Sequence, residues 1–315
     1  MEFNKKGHIF KPTGEYSWSR SHAQVPFAFK LNDDVIRVFF ATRDENSSSS
    51  TSFVDVDADN PSNILKVHDQ PVIQKGSQGS FDDSGTMPSW FLMSDNKLLL
   101  YYTAWNRSKE ASYRLSIGLA ESTDNGLSFT KLFKGPVLDR NINDPIWVGQ
   151  PCVLKEADVW KMWYLCCEKI EIIDGHPEPF YNVKYAESQD GINWVRNNET
   201  CIGFEDGKTE AIGRPCVWRY KNKYWMFHSN RMAKGYRDYK EASYRIELSS
   251  STDGIHWNKE EWFEMPKSGN PEEWDGMMNE YTSVVPKNDS GEFYVFYNGN
   301  GFGGSGFGYF VLNLD

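Results

Sequence analysis

Long apolar segments and regular cysteine patterns are both missing from this chain of 315 residues. No window approaches the roughly 18 uncharged apolar residues that a membrane-spanning helix needs, and the N-terminal MEFNKKGHIFKP has no apolar core of signal-peptide length. The five cysteines are odd in number and two of them, Cys166 and Cys167, are adjacent, which is not typical of a disulfide framework. No CxxC or histidine-rich spacing indicates a metal site. We therefore expect a reduced, cytoplasmic protein with no metal-binding site.

Clusters of positive charge are missing as well. Lys and Arg total 34 against 44 Asp and Glu, which gives a net charge of -10, and no Lys/Arg cluster exceeds two or three residues. Nucleic acid is therefore not an expected partner. What the chain has instead is aromatic: 12 Trp, 16 Tyr and 20 Phe, within a hydrophobic fraction of 39%. This composition predicts a globular protein with a well-buried core.

Three similar turns recur along the chain. STDNGLSF (122–129), SQDGINW (188–194) and STDGIHW (251–257) each place a glycine after Asp or Asn, at intervals of about 64 residues. Such a turn between apolar runs is a strong hairpin signal, because glycine accepts the positive φ that the turn needs. The aromatic residues that follow two of the turns, Trp194 and Trp257, are expected to pack within the sheets.

Prolines recur at nearly the same interval and divide the chain into repeated units. Each proline opens a short strand, and the four are Pro26, Pro88, Pro151 and Pro215. A fifth unit has Ser283 at the corresponding position. A longer aromatic strand follows in every unit, namely VIRVFFAT (35–42), KLLLYYTAW (97–105), VWKMWYLCCE (159–168), KYWMFHSNR (223–231) and EFYVFYNGN (292–300).

Five such units, each with four short strands and almost no helical periodicity, predict an all-β fold. We expect one domain spanning 1–315, a five-bladed β-propeller of four-stranded antiparallel blades. The last unit supplies only three strands, so the N-terminal GHIFKP (7–12) is expected to close that blade as its outer strand, which removes an exposed sheet edge. A β-sandwich is the rival architecture, but a sandwich does not repeat one unit five times.

The hexapeptide KEASYR occurs twice, at 109–114 and 240–245. The separation is close to two repeat intervals, and both copies precede and enter the third strand of a unit. The third unit keeps only a tyrosine, Tyr181, at this place. We therefore interpret the hexapeptide as a loop-to-strand entry rather than a duplicated active site.

Propellers bind ligands near the central axis, so the residues just before the innermost strands are the candidates for chemistry. Carboxylates occur in four of the five such segments, and Asp83 and Glu210 both lie five residues before their proline. Paired carboxylates around a cavity are what glycosidic bond cleavage requires. The alternative is that acids before strands cap turns. The candidate catalytic residues are Asp83, Glu210, Asp144 and Glu280.

With these features the chain resembles the five-bladed glycosidase superfamily of arabinanases, β-xylosidases, invertases and levansucrases, with β-mannoside phosphorylases as relatives. The resemblance lies in the blade pattern and the S-x-D-G-x-x-W turns. It implies a carboxylate base or nucleophile in the first blade, a second carboxylate in a middle blade, and an acidic glutamate two residues before the fourth-blade proline. Here that last position is Gly213, with Glu210 the nearest acid, and the first-blade segment 17–26 has no carboxylate.

The phosphorylase relatives use phosphate, bound by basic side chains, in place of an activated water. In this chain, basic residues occur before the inner strands and at the ends of the second strands. They are therefore candidates to bind an anion. The alternative is that they form surface salt bridges. Trp105 lies near the same face and is a candidate to stack on a sugar ring. The candidate substrate-binding residues are Arg20, His22, Arg43, Trp105, Arg214, His228 and Arg231.

Together these features predict a carbohydrate-active enzyme, a glycoside hydrolase or phosphorylase acting on an oligosaccharide at the axial pocket by carboxylate acid–base chemistry. Glu210 would be the general acid and Asp83 a stabilising or basic carboxylate. Asp144 and Glu280 are the alternative candidates for these roles. Two alternatives stay open: a cytoplasmic glycosyl- or sugar-modifying transferase of polysaccharide or glycolipid assembly, and a non-catalytic sugar-binding propeller. The expected partner is a carbohydrate or sugar phosphate. No cofactor is required, and an axial calcium is implied only by the resemblance.

Overall fold

The computed structural model describes residues 1–204 and 210–315, and this part of the chain is almost entirely β-structure. None of its helices is long and apolar enough to cross a bilayer. The elements are β1 (Glu2–Phe10), β2 (Ser21–Lys30), β3 (Val35–Arg43), β4 (Ser49–Asp57), β5 (Ile64–Val67), β6 (Gly85–Ser94), β7 (Lys97–Arg107), β8 (Tyr113–Ser122), β9 (Thr130–Lys131), β10 (Trp147–Glu156), β11 (Val159–Ile173), β12 (His176–Ser188), β13 (Thr200–Ile202), β14 (Glu210–Tyr220), β15 (Lys223–Met232), β16 (Arg245–Ser251), β17 (Asn258–Lys259), β18 (Glu280–Pro286), β19 (Glu292–Asn298), α1 (Asn300–Gly303) and β20 (Phe307–Asn313).

The aromatic second strands are β3, β7, β11, β15 and β19, and each begins at the residue that the sequence predicts. Their continuous apolar runs reflect burial on both faces. In β3, for example, Phe39 packs in one hydrophobic cluster with Phe53 and Phe91, while its neighbour Phe40 packs in another with Phe296. Each second strand therefore lies between two layers of side chains, which explains why polar residues are scarce in it.

The strands form antiparallel sheets in chain order. β10 to β13 make one four-stranded sheet and β14 to β17 another. β2 to β5 and β6 to β9 are two further groups of four, joined into one larger sheet by a single parallel pairing of Ser49 with Gly85. The sequence prediction of four-stranded antiparallel units is confirmed for these groups.

The N-terminal strand completes the last sheet. β1 pairs antiparallel with β20, from Glu2 opposite Asn313 to Phe10 opposite Phe307, and the strand order is β1-β20-β19-β18. The predicted pairing of the N-terminal segment with the end of the chain is therefore present. It covers an edge of β20 that would otherwise expose unpaired backbone groups.

The first strands of the groups contact one another in a cycle. β2 contacts β6, β6 contacts β10, β10 contacts β14, β14 contacts β18, and β18 returns to β2. These five strands therefore surround a common centre, and the side chains at their N-terminal ends lie close together there.

The same five strands carry a bulge at or next to the proline position, where the register with the second strand shifts. At four of the bulges a non-glycine residue has positive φ: Val25 at 50°, Gln150 at 45°, Arg214 at 54° and Tyr281 at 60°. Such conformations cost free energy, most of all for a β-branched valine, and strained backbone clusters at functional sites. The bulges turn side chains toward the common centre.

Side chains of the neighbouring group hold three of these bulges in place. The amide of Val25 donates to Asn298 Oδ1 at 2.9 Å, and the amide of Gln150 donates to Thr103 Oγ1 at 2.8 Å. The amide of Tyr281 donates in the same way to Ser229 Oγ at 2.9 Å. Each acceptor lies on the second strand of the preceding group, so the strained backbone is fixed by contacts between sheets.

The Asp-Gly turns lock adjacent groups together. Gly126, Gly191 and Gly254 have φ of 82°, 73° and 82°, as a turn glycine requires. The carbonyl of Gly191 accepts a hydrogen bond from Tyr101 Oη at 2.8 Å, and that of Gly254 accepts one from Trp163 Nε1 at 2.7 Å, both from the preceding group. The aromatics after two of the turns pack there too, as predicted: the Trp194 ring lies 6.1 Å from Tyr101 and the Trp257 ring 6.4 Å from Trp163.

Candidate active site

A cavity of about 430 Å³ lies at the end of the molecule where the first strands begin. Its lining is aromatic and basic, and it contains no aspartate or glutamate among the described residues. The lining residues are Gln24, Val25, Arg43, Ser47, Ser49, Met87, Trp105, Tyr113, Leu115, Gln150, Tyr181, Arg231, Tyr236, Arg237, Tyr244, Tyr281 and Phe302.

Three kinds of position in the sheets supply this lining. The bulged first strands provide Gln24, Val25, Gln150 and Tyr281, and the ends of the second strands provide Arg43, Trp105 and Arg231. The third strands provide three tyrosines: Tyr113 at the start of β8, Tyr244 just before β16, and Tyr181 within β12. The cavity therefore lies where inner strands start and second strands end, which is the region in which the sequence analysis places its candidate residues.

The two copies of KEASYR both reach this cavity, through their tyrosines. Tyr113 and Tyr244 line it, as does Tyr181, the tyrosine that the third unit keeps. The arginines of the hexapeptide differ: Arg114 is exposed, whereas Arg245 pairs with Glu210 and Glu247. The hexapeptide marks a strand entry, as interpreted from sequence, and that entry also builds the cavity wall.

Arg43 is a predicted binding residue that does line the cavity, and its partner is neutral. Its Nε and Nη2 both donate to Gln24 Oε1, at 3.1 and 2.7 Å. Partial burial lowers the pKa of the guanidinium, but the group stays charged. The described part of the chain places no carboxylate within ion-pair distance of Arg43, so its positive charge is available to a ligand.

Arg231, also predicted, forms the centre of an aromatic cluster at the cavity wall. It is 2% exposed, and its guanidinium carbon lies 3.8 Å from the ring centroid of Tyr236. Its Nε donates to Tyr244 Oη at 3.3 Å, while its other nitrogens donate to the carbonyls of Met232 and Pro179. Burial alone would lower the pKa of Arg231, but the surrounding tyrosines raise it well above its usual value. This arginine holds the tyrosines in position.

Trp105 and Gln150 supply the surfaces that suit a sugar. Trp105 is half-buried in the lining, fixed by a 3.1 Å hydrogen bond from its Nε1 to Ser49 Oγ. Gln150 is 8% exposed, and its Oε1 has no hydrogen-bond partner within the described residues. A buried amide oxygen without a donor is costly, and a hydroxyl group of a ligand would satisfy it once the Gln150 side chain turns this oxygen toward the cavity.

Three predicted binding residues lie outside the cavity lining. Arg20 is exposed and donates to the carbonyl of Gly14 at 2.7 Å. His22 bonds to Ser21 Oγ at 2.8 Å, and burial together with the charge of Arg43 lowers its pKa to about 4. His228 is buried on β15 between Asn230 and Ser249, and burial lowers its pKa. None of these contacts favours ligand binding.

Arg214, a further candidate, is buried at the centre of the molecule. Its Nη1 and Nη2 donate to the carbonyls of Pro88 and Pro26, at 3.3 and 3.1 Å, and burial lowers its pKa to about 10. It thus bridges three inner strands, β14, β6 and β2. A calcium ion on the axis would need oxygen ligands there, and the guanidinium already occupies inner-strand carbonyls. With a cation of the protein itself at these carbonyls, this place does not suit a calcium ion.

The two main catalytic candidates from sequence are held by contacts away from the cavity. Asp83 accepts hydrogen bonds from the Gly79 amide at 2.9 Å and from Ser84 Oγ at 2.8 Å, as a turn-capping residue does. Glu210 is buried and ion-paired with Arg245. The first two residues of its segment, 208 and 209, lie outside the described residues. Neither carboxylate belongs to the cavity lining.

Asp144 is fully buried in a cluster of charges. Lys184 Nζ lies at 3.0 Å and Arg196 Nη1 at 2.8 Å, and Tyr164 Oη donates at 2.9 Å. Burial alone would raise the pKa of Asp144, but the hydrogen bonds from Lys184 and Tyr164 hold it below its usual value. The carboxylate is therefore ionised and satisfied by the protein itself.

The same arrangement recurs in two other groups and was not predicted. Asp82 accepts from Tyr102 at 3.0 Å and pairs with Lys131 at 2.5 Å. Asp275 accepts from Tyr297 at 2.6 Å and pairs with Lys5 at 2.7 Å. In each case the tyrosine comes from the second strand of the same group. These aspartates tie the segment before the inner strand to its own sheet.

Glu280 differs from the other candidates because it lies directly behind the cavity wall. It is fully buried beside the lining residue Tyr281, and Asn298 Nδ2 donates to its Oε1 at 3.0 Å. Its Oε2 has no partner in the described residues. Burial raises the pKa of Glu280 to about 8, against the opposing effects of Asn298, Tyr281, Arg43 and Arg231. At neutral pH this carboxyl group is mostly protonated.

The sequence prediction missed the tyrosines and one arginine of the cavity. Tyr236 and Arg237 come from the loop after β15, and both bond to Glu178. Tyr113 and Tyr244 lie at or just before the start of a third strand and Tyr181 lies within one, so the tyrosines of the third strands were a usable signal. Tyr281 could not be found in this way, since its side chain reaches the cavity only because of a strained bulge in β18.

Comparisons with known proteins agree with the fold. No protein-family model matches the chain. A glycoside hydrolase of known structure superposes with a TM-score of 0.74 at 15% identity, over 98% of this chain and 90% of that one. A structure from the GH130 family of mannoside phosphorylases, which contains glycoside hydrolases that target β-1,2 mannosidic linkages, superposes with a TM-score of 0.68 at 14% identity, over 99% and 94% of the two chains.

These likenesses show that the chain has the fold of the propeller-type glycoside hydrolases and phosphorylases. A relative by sequence is the Mycobacterium tuberculosis protein whose name is "Uncharacterized protein MT1551". The two chains are 32% identical over 315 residues, which cover 99% of each. This chain therefore belongs to the same family as MT1551 of Mycobacterium tuberculosis.

Proposed function

We propose that this chain is a carbohydrate-active enzyme that cleaves a glycosidic bond of an oligosaccharide in the cavity lined by Arg43, Trp105 and Arg231. The cavity favours phosphorolysis over hydrolysis. The observation that carries this is Arg43, a charged side chain in the cavity wall whose only polar partner among the described residues is the neutral amide of Gln24. An uncompensated arginine is a binding site for phosphate.

The sugar would bind by stacking and hydrogen bonding. Trp105 and the cavity tyrosines offer rings of the kind on which sugars stack, and the free Oε1 of Gln150 accepts from a hydroxyl. Solved structures that share this fold include a glycoside hydrolase and a member of the GH130 family of mannoside phosphorylases, which supports the reaction class.

Of the four predicted catalytic carboxylates, Glu280 is the one that we assign to the reaction. Its protonated form leaves the charge of nearby Arg43 uncompensated, so phosphate can bind. Asp83, Glu210 and Asp144 are bonded elsewhere, and we assign them to the fold. We propose no axial calcium, since Arg214 already places a positive charge at the centre of the molecule.

The architecture that we propose is a single five-bladed propeller over 1–315. Support comes from the groups of four strands and from the cyclic contacts of β2, β6, β10, β14 and β18. We also propose that the protein works in the cytoplasm on a carbohydrate or sugar-phosphate substrate. All five cysteines are unpaired, which suits a reducing compartment.

The test is a panel of aryl glycosides assayed with and without inorganic phosphate. We expect release of the aryl group to depend on phosphate and to be reduced in Arg43→Gln. Arg114→Gln is the control, because Arg114 is exposed and the substitution makes the same chemical change. This control should release the aryl group as the wild type does. Release without phosphate would point to hydrolysis. Silence on every glycoside would favour a transferase that uses a sugar-phosphate donor, or a sugar-binding protein.

A further inference from the structure

The fourth group has no acid at the position where the glycosidase resemblance places one, and a tyrosine fills the space. Gly213 lies at the bulge of β14, and a Cβ there would lie 3.2 Å from the ring of Tyr181 and 3.0 Å from Gln150 Oε1. Leu165 Cδ1 would be closer still, at 2.8 Å. A glutamate could not enter without displacing these groups, so whatever protonates the leaving group must come from another residue.

Tyr181 is the hydroxyl group that faces this part of the cavity. It lines the cavity on β12, its ring packs 5.7 Å from Trp147, and it is 5% exposed. Its Oη is hydrogen-bonded to Tyr244 Oη, and Arg231 is the nearby cation that also interacts with it. The ring is therefore fixed, while the hydroxyl group has bonding capacity left for a ligand.

Tyr181, Tyr244 and Arg231 form a chain of hydrogen bonds behind the cavity wall. Arg231 Nε donates to Tyr244 Oη at 3.3 Å. An oxygen that accepts from Arg231 can still donate its own proton to Tyr181 Oη. In that arrangement the Tyr181 proton is not used by Tyr244 and is available to a ligand in the cavity. Charge that develops on the Tyr181 oxygen is stabilised by the Tyr244 hydrogen bond and by the guanidinium of Arg231, whose carbon lies 5.5 Å from the Tyr181 ring centroid.

We propose that Tyr181 is the general acid of the reaction, with Tyr244 and Arg231 as its positioning residues. The inference rests on the proposed glycosidic bond cleavage. The Tyr181 proton passes to the glycosidic oxygen as the bond from that oxygen to the anomeric carbon breaks. An oxygen of hydrogen phosphate forms the new bond to that carbon, and the phosphate proton returns to the Tyr181 oxygen. Atoms and charge balance over the cycle.

The test compares Tyr181→Phe and Tyr113→Phe on two donors that share one sugar. One donor has a nitrophenol leaving group, which departs without protonation; the other is a disaccharide, whose leaving hydroxyl must be protonated. Tyr113 is the control, since it is a second cavity tyrosine that undergoes the same chemical change, two residues before the position on β8 that corresponds to Tyr181 on β12. Circular dichroism and the thermal midpoint establish that each variant folds.

Tyr181→Phe is expected to lower kcat/KM for the disaccharide by about 10²- to 10⁴-fold, the usual contribution of a general acid, and for the nitrophenyl donor by less than about tenfold. Tyr113→Phe should affect both donors equally. Tyr244→Phe should follow Tyr181→Phe with a smaller loss. Equal losses on both donors, or none, for Tyr181→Phe would overturn this assignment while leaving the proposed function intact. A wild-type protein inactive on both donors would overturn the two together.

Discussion

Arg43 donates two hydrogen bonds to the side-chain oxygen of Gln24, at 3.1 and 2.7 Å, and so holds its charge at the cavity wall against a neutral partner. The isosteric change Gln24→Glu would convert this contact into an ion pair. We expect the KM for phosphate to rise by at least about tenfold, since a compensated arginine binds anions more weakly.

Gln74→Glu is the matched control for that substitution, because Gln74 is exposed and the change adds the same charge. An unaltered KM for phosphate in Gln24→Glu, with the protein folded, would show that Arg43 does not hold the anion.

Glu280 makes stability depend on pH. Its folded pKa, about 8, lies above the ordinary value of 4.5. Between these values the unfolded chain releases the proton while the native chain keeps it, so the wild type loses stability as pH rises from about 4.5 to about 8. Glu280→Gln lacks this effect. We expect its melting temperature, relative to wild type, to increase from pH 5 to pH 8.5.

The control for Glu280 is Glu264→Gln, at an exposed position, which should differ from wild type by the same small amount at each pH. A second effect concerns binding: ionisation of Glu280 beside Arg43 and Arg231 should weaken phosphate binding as pH rises through about 8. A pH-independent difference in melting temperature would contradict a raised pKa for Glu280.

Asp144 is expected to matter for stability and not for the chemical step. Asp144→Asn leaves Arg196 beside a neutral group and Lys184 with Glu168 as its remaining ionic partner, and removing one partner of a buried pair costs up to about 3–5 kcal/mol. Chemical denaturation measures this loss, and the kcat of the remaining folded protein should stay close to wild type. The comparison is Asp83→Asn, whose partners are a backbone amide and a hydroxyl and whose loss should be smaller. A kcat for folded Asp144→Asn reduced by 10²-fold or more would instead make Asp144 catalytic.

The position of Arg214 leads us to expect that calcium does not affect the stability or the activity of the protein. Its guanidinium donates to the carbonyls of Pro26 and Pro88, so these groups are not free to bind a metal. Treatment with EDTA, and then addition of millimolar calcium, should leave both the melting temperature and the activity unchanged. A melting temperature that rises by several degrees with calcium would reveal a site that binds the native state.

Much of the fold could be predicted because its signals are local. The turn glycines at Gly126, Gly191 and Gly254 need positive φ wherever they occur, and the apolar second strands are buried on both faces. Those two features located every second strand. Because the ends of second strands converge, they also located Arg43, Trp105 and Arg231 in the cavity.

The carboxylates could not be ranked from sequence, because their partners are distant in the chain. Lys184, which neutralises Asp144, lies 40 residues away, and Arg245, which pairs with Glu210, lies 35 residues away. The strained bulge at Tyr281 has no local signature either, since its amide is held by Ser229 of another sheet. Long-range pairing therefore decides which polar residues stay free for chemistry.

The central claim, phosphate-dependent cleavage in the Arg43 cavity, is tested most directly by identifying the product. The enzyme would be incubated with a cleavable glycoside and phosphate, and the sugar analysed by ³¹P NMR and mass spectrometry. We predict a glycosyl phosphate formed in amounts equal to the alcohol released, and strongly reduced formation by Arg43→Gln. Free sugar as the sole product, formed equally well by Arg43→Gln, would contradict the account.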